Sequence, residues 1–321
     1  MLRRALALPA ELIFTTIMVV IMLLLSLTHA LPISVPSGER AAFVGVHYLY
    51  PLIGVGIWGL FAVFGLKRQL ASTFLIALPC YALIMRVHFN IKLWVPTINP
   101  MNFDAFFWST DEAMRPMVDF SFTAATWMNS ALPLPANFYM VGFVALFYIS
   151  FCYHALMTPE RFRALFLSAL IFQGLGALAY LPFPAIGPFL FEPGMDPSSS
   201  SAQASMLAAH QAKVVAGSAW IAANGGTHIT TGLAAMPSLH TGGTFLFFLF
   251  ACKYGRTLIP LYSIMLFYIM IVAVASRWHY IIDLPVGMAL AWVSMRLGER
   301  LAGAPRPAID ADGGAPALQP A

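Results

Sequence analysis

The sequence predicts an all-α integral membrane protein, a polytopic helical bundle of about eight transmembrane helices. Hydrophobic residues make up 60% of its 321 residues and charged residues only 9%, whereas soluble domains carry roughly 25% charged residues. The apolar residues also fall into runs of about 20, the length that a helix needs to cross the hydrocarbon core of a bilayer. A chain with so little charge requires lipid as its solvent.

About eight such runs follow one another along the chain. The first run comes after Arg3 and Arg4, as the apolar part of a signal peptide does, but it is long enough to span a bilayer. No convincing small-residue cleavage site follows it, so we expect it to be retained. The predicted spans are residues 11–31, 43–66, 70–89, 138–157, 162–183, 233–252, 258–275 and 279–297.

Two connections are too long to be simple turns. Residues 90–137 mix aromatic side chains with prolines and a few charges, which predicts short amphipathic helices at the membrane surface. Residues 184–231 are interpreted as a long loop with a proline-rich start. We therefore divide the chain into an N-terminal region of spans (1–89), an exoplasmic interfacial segment (90–137), a catalytic membrane domain (138–301) and a disordered cytoplasmic tail (302–321).

The basic residues indicate how the bundle is oriented. Most of them fall in short loops on the side of the N-terminus, as Lys67 and Arg68 do. The positive-inside rule then places both termini in the cytoplasm. Since the net charge of +4 is spread over these loops, we expect no nucleic-acid partner. The tail, rich in Ala and Pro, suggests a bacterial inner membrane protein whose opposite face is periplasmic.

The segment Met236-Pro237-Ser238-Leu239-His240 opens the sixth predicted span. Pro237 is expected in the first helical turn, where its missing N–H is not needed. Ser238 and His240 would then lie among the unpaired backbone N–H groups of a helix N-terminus, which attract phosphate.

A second segment, Ser276 to Asp283, closes the seventh predicted span and opens the eighth. His279 and Asp283 are four residues apart and would share one face of a helix. The carboxylate could hold one ring nitrogen and leave the other free to act as a nucleophile. Arg277 could bind phosphate oxygens in a bidentate manner. Because two consecutive spans return to their starting side, His240 and His279 are predicted to lie at the same, exoplasmic face.

These two segments resemble motifs of the type 2 phosphatidic acid phosphatase superfamily, over roughly residues 138–297. The final motif is compact, since one residue rather than the usual five separates its arginine from its histidine. In this respect it is closer to the inositol phosphorylceramide synthase and sphingomyelin synthase branch. The side chains that carry the resemblance are Pro237, Ser238, His240, Arg277, His279 and Asp283.

The resemblance implies a role for each matching residue. His279 would attack phosphorus and form a phosphohistidine, and Asp283 would orient it. His240 would protonate the leaving oxygen and then deprotonate the acceptor. Ser238 and Arg277 would bind phosphate oxygens. The resemblance implies neither a metal nor any other cofactor.

Other polar residues are weaker candidates. In the superfamily's first motif, a lysine is followed by an Arg-Pro pair, but here Asn99 stands at the arginine's distance from Lys92. Lys92 and Arg86 are nevertheless candidate phosphate ligands, and His88 and His228 are possible contacts to the acceptor or the long loop. We expect four acidic residues to form a solvated polar face, with headgroup recognition as the alternative: Asp104, Asp111, Glu112 and Asp119.

The expected function is that of an inositolphosphotransferase-like lipid phosphotransferase. It would move a phosphoryl or phospho-headgroup from a phosphorylated lipid donor to an alcohol acceptor. The alternatives are a lipid phosphate phosphatase, which would use water to cleave a phosphomonoester or pyrophosphate, and a non-catalytic transporter of lipid or phosphate. A transporter predicts inverted repeats and helix breaks near the bilayer midplane, and the sequence shows neither. Membrane lipids are the expected surroundings, and no obligate protein partner is inferred.

Overall fold

The computed structural model describes residues 8–38, 68–132, 134–135 and 137–303 of the chain. Within these ranges the ordered secondary structure is entirely helical, without strands. The predicted span at 43–66 and almost all of the predicted tail at 302–321 lie outside the described residues. For the part of the chain that the structure describes, the predicted all-α membrane bundle is confirmed.

The described ranges contain ten α-helices, which we number in chain order. They are α1 (Ala10–Thr28), α2 (Arg68–Ile98), α3 (Asp104–Ala113), α4 (Arg115–Ala131), α5 (Phe138–Met157), α6 (Pro159–Ala179), α7 (Pro197–Asn224), α8 (Leu239–Tyr254), α9 (Ile259–Ala275) and α10 (Asp283–Ala302). Short 3-10 turns lie at Pro188–Leu190 and Arg256–Leu258.

Among the described residues, 5 helical segments are long and apolar enough to cross a membrane. They are α1, Ile76–Ile98 of α2, α5, α6 and Arg256–Ala275, which includes α9. Helices α8 and α10 occupy the other two predicted spans that the structure describes, but α8 has only 16 residues and α10 is more polar. Both begin later than predicted, at Leu239 and Asp283, because the residues before them form turns around a cavity. Pro237 therefore precedes α8 instead of lying in its first turn.

Helix α2 is longer than predicted. The sequence placed its end near residue 89, but the helix continues to Ile98. The additional turns are held by the segment after α1: the Asn90 side chain accepts a hydrogen bond from the Ser34 backbone N–H at 2.7 Å, and the Trp94 indole N–H donates to the Pro32 carbonyl at 3.2 Å. This extension places Lys92 on a helix instead of in a surface segment.

The two long connections differ in how well they were predicted. Two helices, α3 and α4, follow α2 as expected, and they expose large apolar side chains such as Phe106 and Trp127; their location at the membrane surface stays a prediction. The second connection was wrongly interpreted as a loop, because it contains the 28-residue helix α7. The Asp196 carboxylate caps this helix by accepting hydrogen bonds from the next turn. Lys213 attaches it to α2 by donating to the Leu93 carbonyl at 2.8 Å.

Helix α6 is the centre of the bundle, and most of its residues are buried. One apolar cluster joins it to α1 and α2 through residues such as Met18 and Ile84. A second cluster joins it to α5, α8, α9 and α10 through residues such as Phe247 and Tyr262. Since both clusters share α6, the helix ends on either side of it are fixed relative to one another.

Helices α8 and α10 approach each other very closely through two glycines. A Cβ atom on Gly242 would lie 2.5 Å from the Gly287 carbonyl oxygen, and a Cβ atom on Gly287 would collide with the Ser238 carbonyl oxygen. Only glycine permits such an approach of two backbones. The first turns of the two helices, which carry His240 and Asp283, consequently lie side by side.

Candidate active site

A cavity of about 320 Å³ lies where several helix ends meet. Its wall is formed by the N-terminal ends of α5 and α8, the C-terminal ends of α2 and α6, the turn before α10, and Ala202 and Met206 of α7. Among the described residues that line it, none is Asp or Glu, so the cavity suits an anionic ligand. Nine lining residues have side chains that contain nitrogen or oxygen and can form hydrogen bonds: His88, Lys92, Tyr139, Gln173, Tyr180, Thr230, His240, Trp278 and His279.

His279 has one ring nitrogen fixed by two oxygen atoms. Its Nδ1 atom lies 2.8 Å from the Ala235 carbonyl oxygen and 3.3 Å from Asp283 Oδ2. Both atoms are acceptors, which favours the tautomer with its proton on Nδ1. The Nε2 atom, on the far side of the ring, then carries a lone pair. The residue is 8% exposed and lines the cavity.

Asp283 is the first residue of α10 and is fully buried. Its Oδ2 atom accepts a hydrogen bond from the Tyr280 backbone N–H at 2.8 Å, while Oδ1 has no hydrogen-bond partner among the described residues. The Asp283 carbonyl accepts a hydrogen bond from the Ser238 backbone N–H at 3.0 Å. The predicted pairing of His279 with Asp283 is therefore present. It arises in a turn that enters α10, whereas the sequence suggested two residues on one helix face.

His240 lies in the first turn of α8 and also lines the cavity. Aromatic rings of α5 pack against its imidazole, with ring centroids 5.2 Å away for Tyr139 and 4.6 Å away for Phe143. Its carbonyl is capped by the Thr244 hydroxyl at 2.9 Å. The structure thus brings His240 and His279 to one cavity, at the same end of the bundle.

Helix α2 contributes two further nitrogen-bearing side chains to the cavity. The Lys92 ammonium lies 5.2 Å from the centroid of the Tyr180 ring. His88 faces the same cavity one helical turn earlier, with its Nδ1 atom 3.0 Å from the Gln173 carbonyl oxygen. Lys92 is the one lysine or arginine among the described lining residues, so it can supply a positive charge beside the histidines.

Five of the predicted site residues do not line the cavity: Asp283, Ser238, Arg277, Arg86 and His228. Asp283 reaches the cavity only through its contact with His279. Ser238 precedes α8, and its hydroxyl donates to the Thr241 hydroxyl at 3.1 Å inside the protein. The imidazole of His228 packs on the Trp220 ring, with centroids 5.3 Å apart. Arg86 lies on α2 outside the lining.

The prediction for Arg277 needs a specific correction. Its guanidinium is fully buried, 3.0 Å from Asp111 Oδ2 and 3.2 Å from Glu192 Oε2, in ion pairs whose angles are not those of aligned hydrogen bonds. It also lies over the Trp108 ring, 5.2 Å from the centroid. Arg277 contacts carboxylates on α3 and in the segment before α7, whereas His279 lines the cavity, so the two side chains face different parts of the structure. In this structure Arg277 forms ion pairs with Asp111 and with Glu192, which also pairs with Arg115.

Sequence reasoning missed two buried carboxylates. Asp104 and Asp111 were expected on a solvated face of the surface segment, yet they are 2% and 0% exposed. They bind residues far away in sequence, including Tyr280 and Ile281 beside His279. Their spacing of two helical turns, together with the apolar Phe107 between them, would have indicated one buried face of α3. No pattern in the sequence indicated which loop this face contacts.

Among the described residues, no group of three or more His, Cys, Asp or Glu side chains could hold a metal ion.

The fold and the site together define a class: a helical membrane protein in which a histidine in contact with an aspartate, a second histidine and a lysine meet at a cavity whose described lining contains no Asp or Glu. The comparison with protein families agrees with this class. The PAP2 superfamily model matches residues 118–297, and the chain belongs to that superfamily. Its members are generally phosphatases or phosphotransferases. No curated protein and no solved structure matches the chain.

Proposed function

We propose that the protein is a lipid phosphotransferase that moves a phosphoryl or phospho-headgroup from a phosphorylated lipid to an alcohol, through a phosphohistidine at His279. The observation that carries the proposal is the position of the His279 ring. Its Nδ1 atom faces the Ala235 carbonyl and the Asp283 carboxylate, and the residue lines a cavity that also contains His240 and Lys92. A nucleophile, an orienting carboxylate, a proton carrier and a cation are the groups that this chemistry requires.

In the first step, the Nε2 lone pair of His279 attacks phosphorus. The N–P bond forms while the P–O bond to the lipid alcohol breaks, and protonated His240 gives its proton to the leaving oxygen. Asp283 stabilises the positive charge that the ring gains. Lys92 attracts the phosphate oxygens throughout.

In the second step, the acceptor hydroxyl attacks the phosphohistidine. Neutral His240 takes the hydroxyl proton, the new P–O bond forms, and the electrons of the N–P bond return to His279 Nε2. Apolar side chains such as Phe89, Met140 and Leu233 occupy much of the cavity wall. Such a wall limits the access of bulk water and favours an alcohol acceptor.

The reaction as written uses no metal ion, so turnover should persist when EDTA is present. The basic residues in the loops on the N-terminal side favour a cytoplasmic N-terminus. With that orientation, the cavity opens toward the periplasmic or other exoplasmic side of the membrane.

The test uses purified full-length protein in detergent with EDTA and a panel of phosphorylated lipids. Free phosphate and new phospholipid species are followed by mass spectrometry, with and without alcohol acceptors. We expect a new phosphate ester of the added acceptor, a phosphomonoester if the phosphoryl group moves and a phosphodiester if the phospho-headgroup moves. We expect His279→Ala to abolish it. His29→Ala, at an exposed histidine at the end of α1, is the matched control and should keep full activity.

Each other outcome identifies an alternative. Phosphate release without a new phosphate ester of the acceptor would show a lipid phosphate phosphatase that uses water in the second step. Absence of turnover with every donor would contradict the enzymatic proposal and favour a lipid or phosphate transporter.

A further inference from the structure

We propose that Asp104 and Asp111, on the surface helix α3, are positioning residues that hold the catalytic His279 turn in its reactive geometry. The inference rests on the proposed function, and it extends the active-site machinery to a helix outside the part of the chain that the PAP2 superfamily model matches. Neither carboxylate lines the cavity, so neither is a catalytic residue.

Asp104 joins two separate segments of the chain. Its Oδ1 atom accepts hydrogen bonds from the Tyr280 hydroxyl at 2.7 Å and the Gly187 backbone N–H at 2.9 Å. Its carboxylate also accepts from the Ile186 backbone N–H, at 2.8 Å for Oδ2 and 2.9 Å for Oδ1. Tyr280 follows His279 directly in sequence. The carboxylate therefore attaches the His279 turn to the loop that follows α6.

The loop after α6 also determines where His279 finds its hydrogen-bond acceptor. The Ala185 carbonyl accepts from the Ala235 backbone N–H at 2.9 Å, and the Ala235 carbonyl lies 2.8 Å from His279 Nδ1. Asp104 thus acts on His279 from two directions. It holds Tyr280 on one side, and through residues 185–187 it supports the carbonyl that orients the imidazole.

Asp111, seven residues after Asp104 on α3, also contacts the segment that contains His279. Its Oδ1 atom accepts from the Ile281 backbone N–H at 2.8 Å, and its Oδ2 atom lies 3.0 Å from the Arg277 guanidinium. Together the two carboxylates contact the residues on both sides of His279. Arg277 itself has a φ of +58°, a left-handed conformation that is rare for residues other than glycine. Such a backbone persists where its surroundings hold it in place.

A purely structural role would give a different result in mutants. A residue that only stabilises the fold changes the amount of folded protein, whereas a positioning residue changes the rate of the chemical step in folded protein. Tyr280→Phe is the most informative variant, because it deletes the hydroxyl bonded to Asp104 and retains the ring that packs against Phe107, with centroids 5.7 Å apart. Asp104→Asn and Asp111→Asn extend the test. Glu112→Gln is the matched control, since this exposed side chain lies on the same helix.

The experiment measures kcat and KM with dioctanoyl phosphatidate, or whichever lipid donor the wild type uses best, together with thermal unfolding in detergent. We expect Tyr280→Phe and Asp104→Asn to lower kcat about 10- to 100-fold, the range for a hydrogen bond to a charged group. KM and the unfolding temperature should stay close to the wild-type values. Phosphohistidine formation at His279 in a single turnover should slow by the same factor as kcat.

Two results would overturn the inference. The first is a kcat within twofold of the wild type in both Tyr280→Phe and Asp104→Asn. The second is a loss of activity in proportion to the loss of folded protein. Absence of turnover in the wild type would overturn the proposed function itself, and the positioning role with it. Normal turnover in the wild type and Glu112→Gln, with normal kcat in both positioning variants, would overturn the positioning role alone.

Discussion

Replacement of Asp283 by asparagine removes a negative charge from beside the nucleophile with little change in shape. Asp283 Oδ2 accepts a hydrogen bond from the Tyr280 backbone N–H at 2.8 Å and lies 3.3 Å from His279 Nδ1. An asparagine carbonyl can take the place of Oδ2, and its NH₂ group the place of Oδ1, which has no hydrogen-bond partner in the described chain. The imidazole should therefore keep its orientation, and only the charge should be lost.

The size of the effect follows from the distance between the charges. When His279 attacks phosphorus, its ring becomes positive 3.3 Å from the carboxylate. At an effective dielectric constant of about 20, this interaction is worth about 5 kcal/mol. Since about 1.4 kcal/mol corresponds to a tenfold change in rate, Asp283→Asn should lower kcat by roughly 1,000- to 10,000-fold, with the fold intact.

The assay is turnover of the best lipid donor in detergent, with thermal unfolding measured on the same preparation. Asp119→Asn, the same substitution at an exposed position on α4, is the control and should retain wild-type kcat. A kcat of Asp283→Asn within tenfold of the wild type, with normal unfolding, would refute the orienting and charge-stabilising role of the carboxylate.

Three further predictions concern phosphate binding, helix packing and pH. Lys92→Met should lower kcat/KM about 10- to 100-fold, because it removes the one lysine or arginine in the described cavity lining; an unchanged kcat/KM would contradict phosphate binding by Lys92. Gly287→Ala should cost about 1–3 kcal/mol in unfolding free energy and reduce activity, because its Cβ would displace the Ser238 carbonyl; normal thermal unfolding would contradict the close helix contact. Burial, together with the charge of Lys92, lowers the pKa of Lys213 from 10.5 to about 8. The unfolded chain therefore binds more protons between these values, and unfolding temperatures should rise with pH from about 8 to about 10; Lys213→Met should flatten this rise, and an equal rise in the variant would contradict the assignment.

The fold was largely predictable because a membrane span is a strong local signal. A run of about 20 apolar residues needs no partner to be recognised, and α1, α5, α6 and α9 lie where such runs were found. Helix α7 was missed because its sequence is rich in Ala and Ser and not apolar enough for a span. The pair Asp196-Pro197 nevertheless indicates a helix N-terminus, because aspartate is a common N-cap residue and proline is common in the first helical position.

The positions of the cavity residues were predictable where they depend only on neighbours in sequence or on the order of the helices. His240 and His279 share one end of the bundle because α8 and α9 form an antiparallel pair. The side-chain direction of Arg277 was not predictable, since it depends on a left-handed turn and on carboxylates more than 80 residues away along the chain. The role of Asp104 was not predictable for the same reason, since its hydrogen-bond partner Tyr280 lies 176 residues further along the chain.

The most direct test of the account is to detect the phosphorylated enzyme at His279. Wild-type protein is mixed briefly with a ³²P-labelled lipid donor, quenched in base to preserve phosphohistidine, digested and analysed by mass spectrometry. The account predicts a base-stable, acid-labile label on the peptide that contains His279, which forms fast enough to account for turnover and is absent from His279→Ala. Label on a different residue, or turnover in His279→Ala at the wild-type rate, would contradict it.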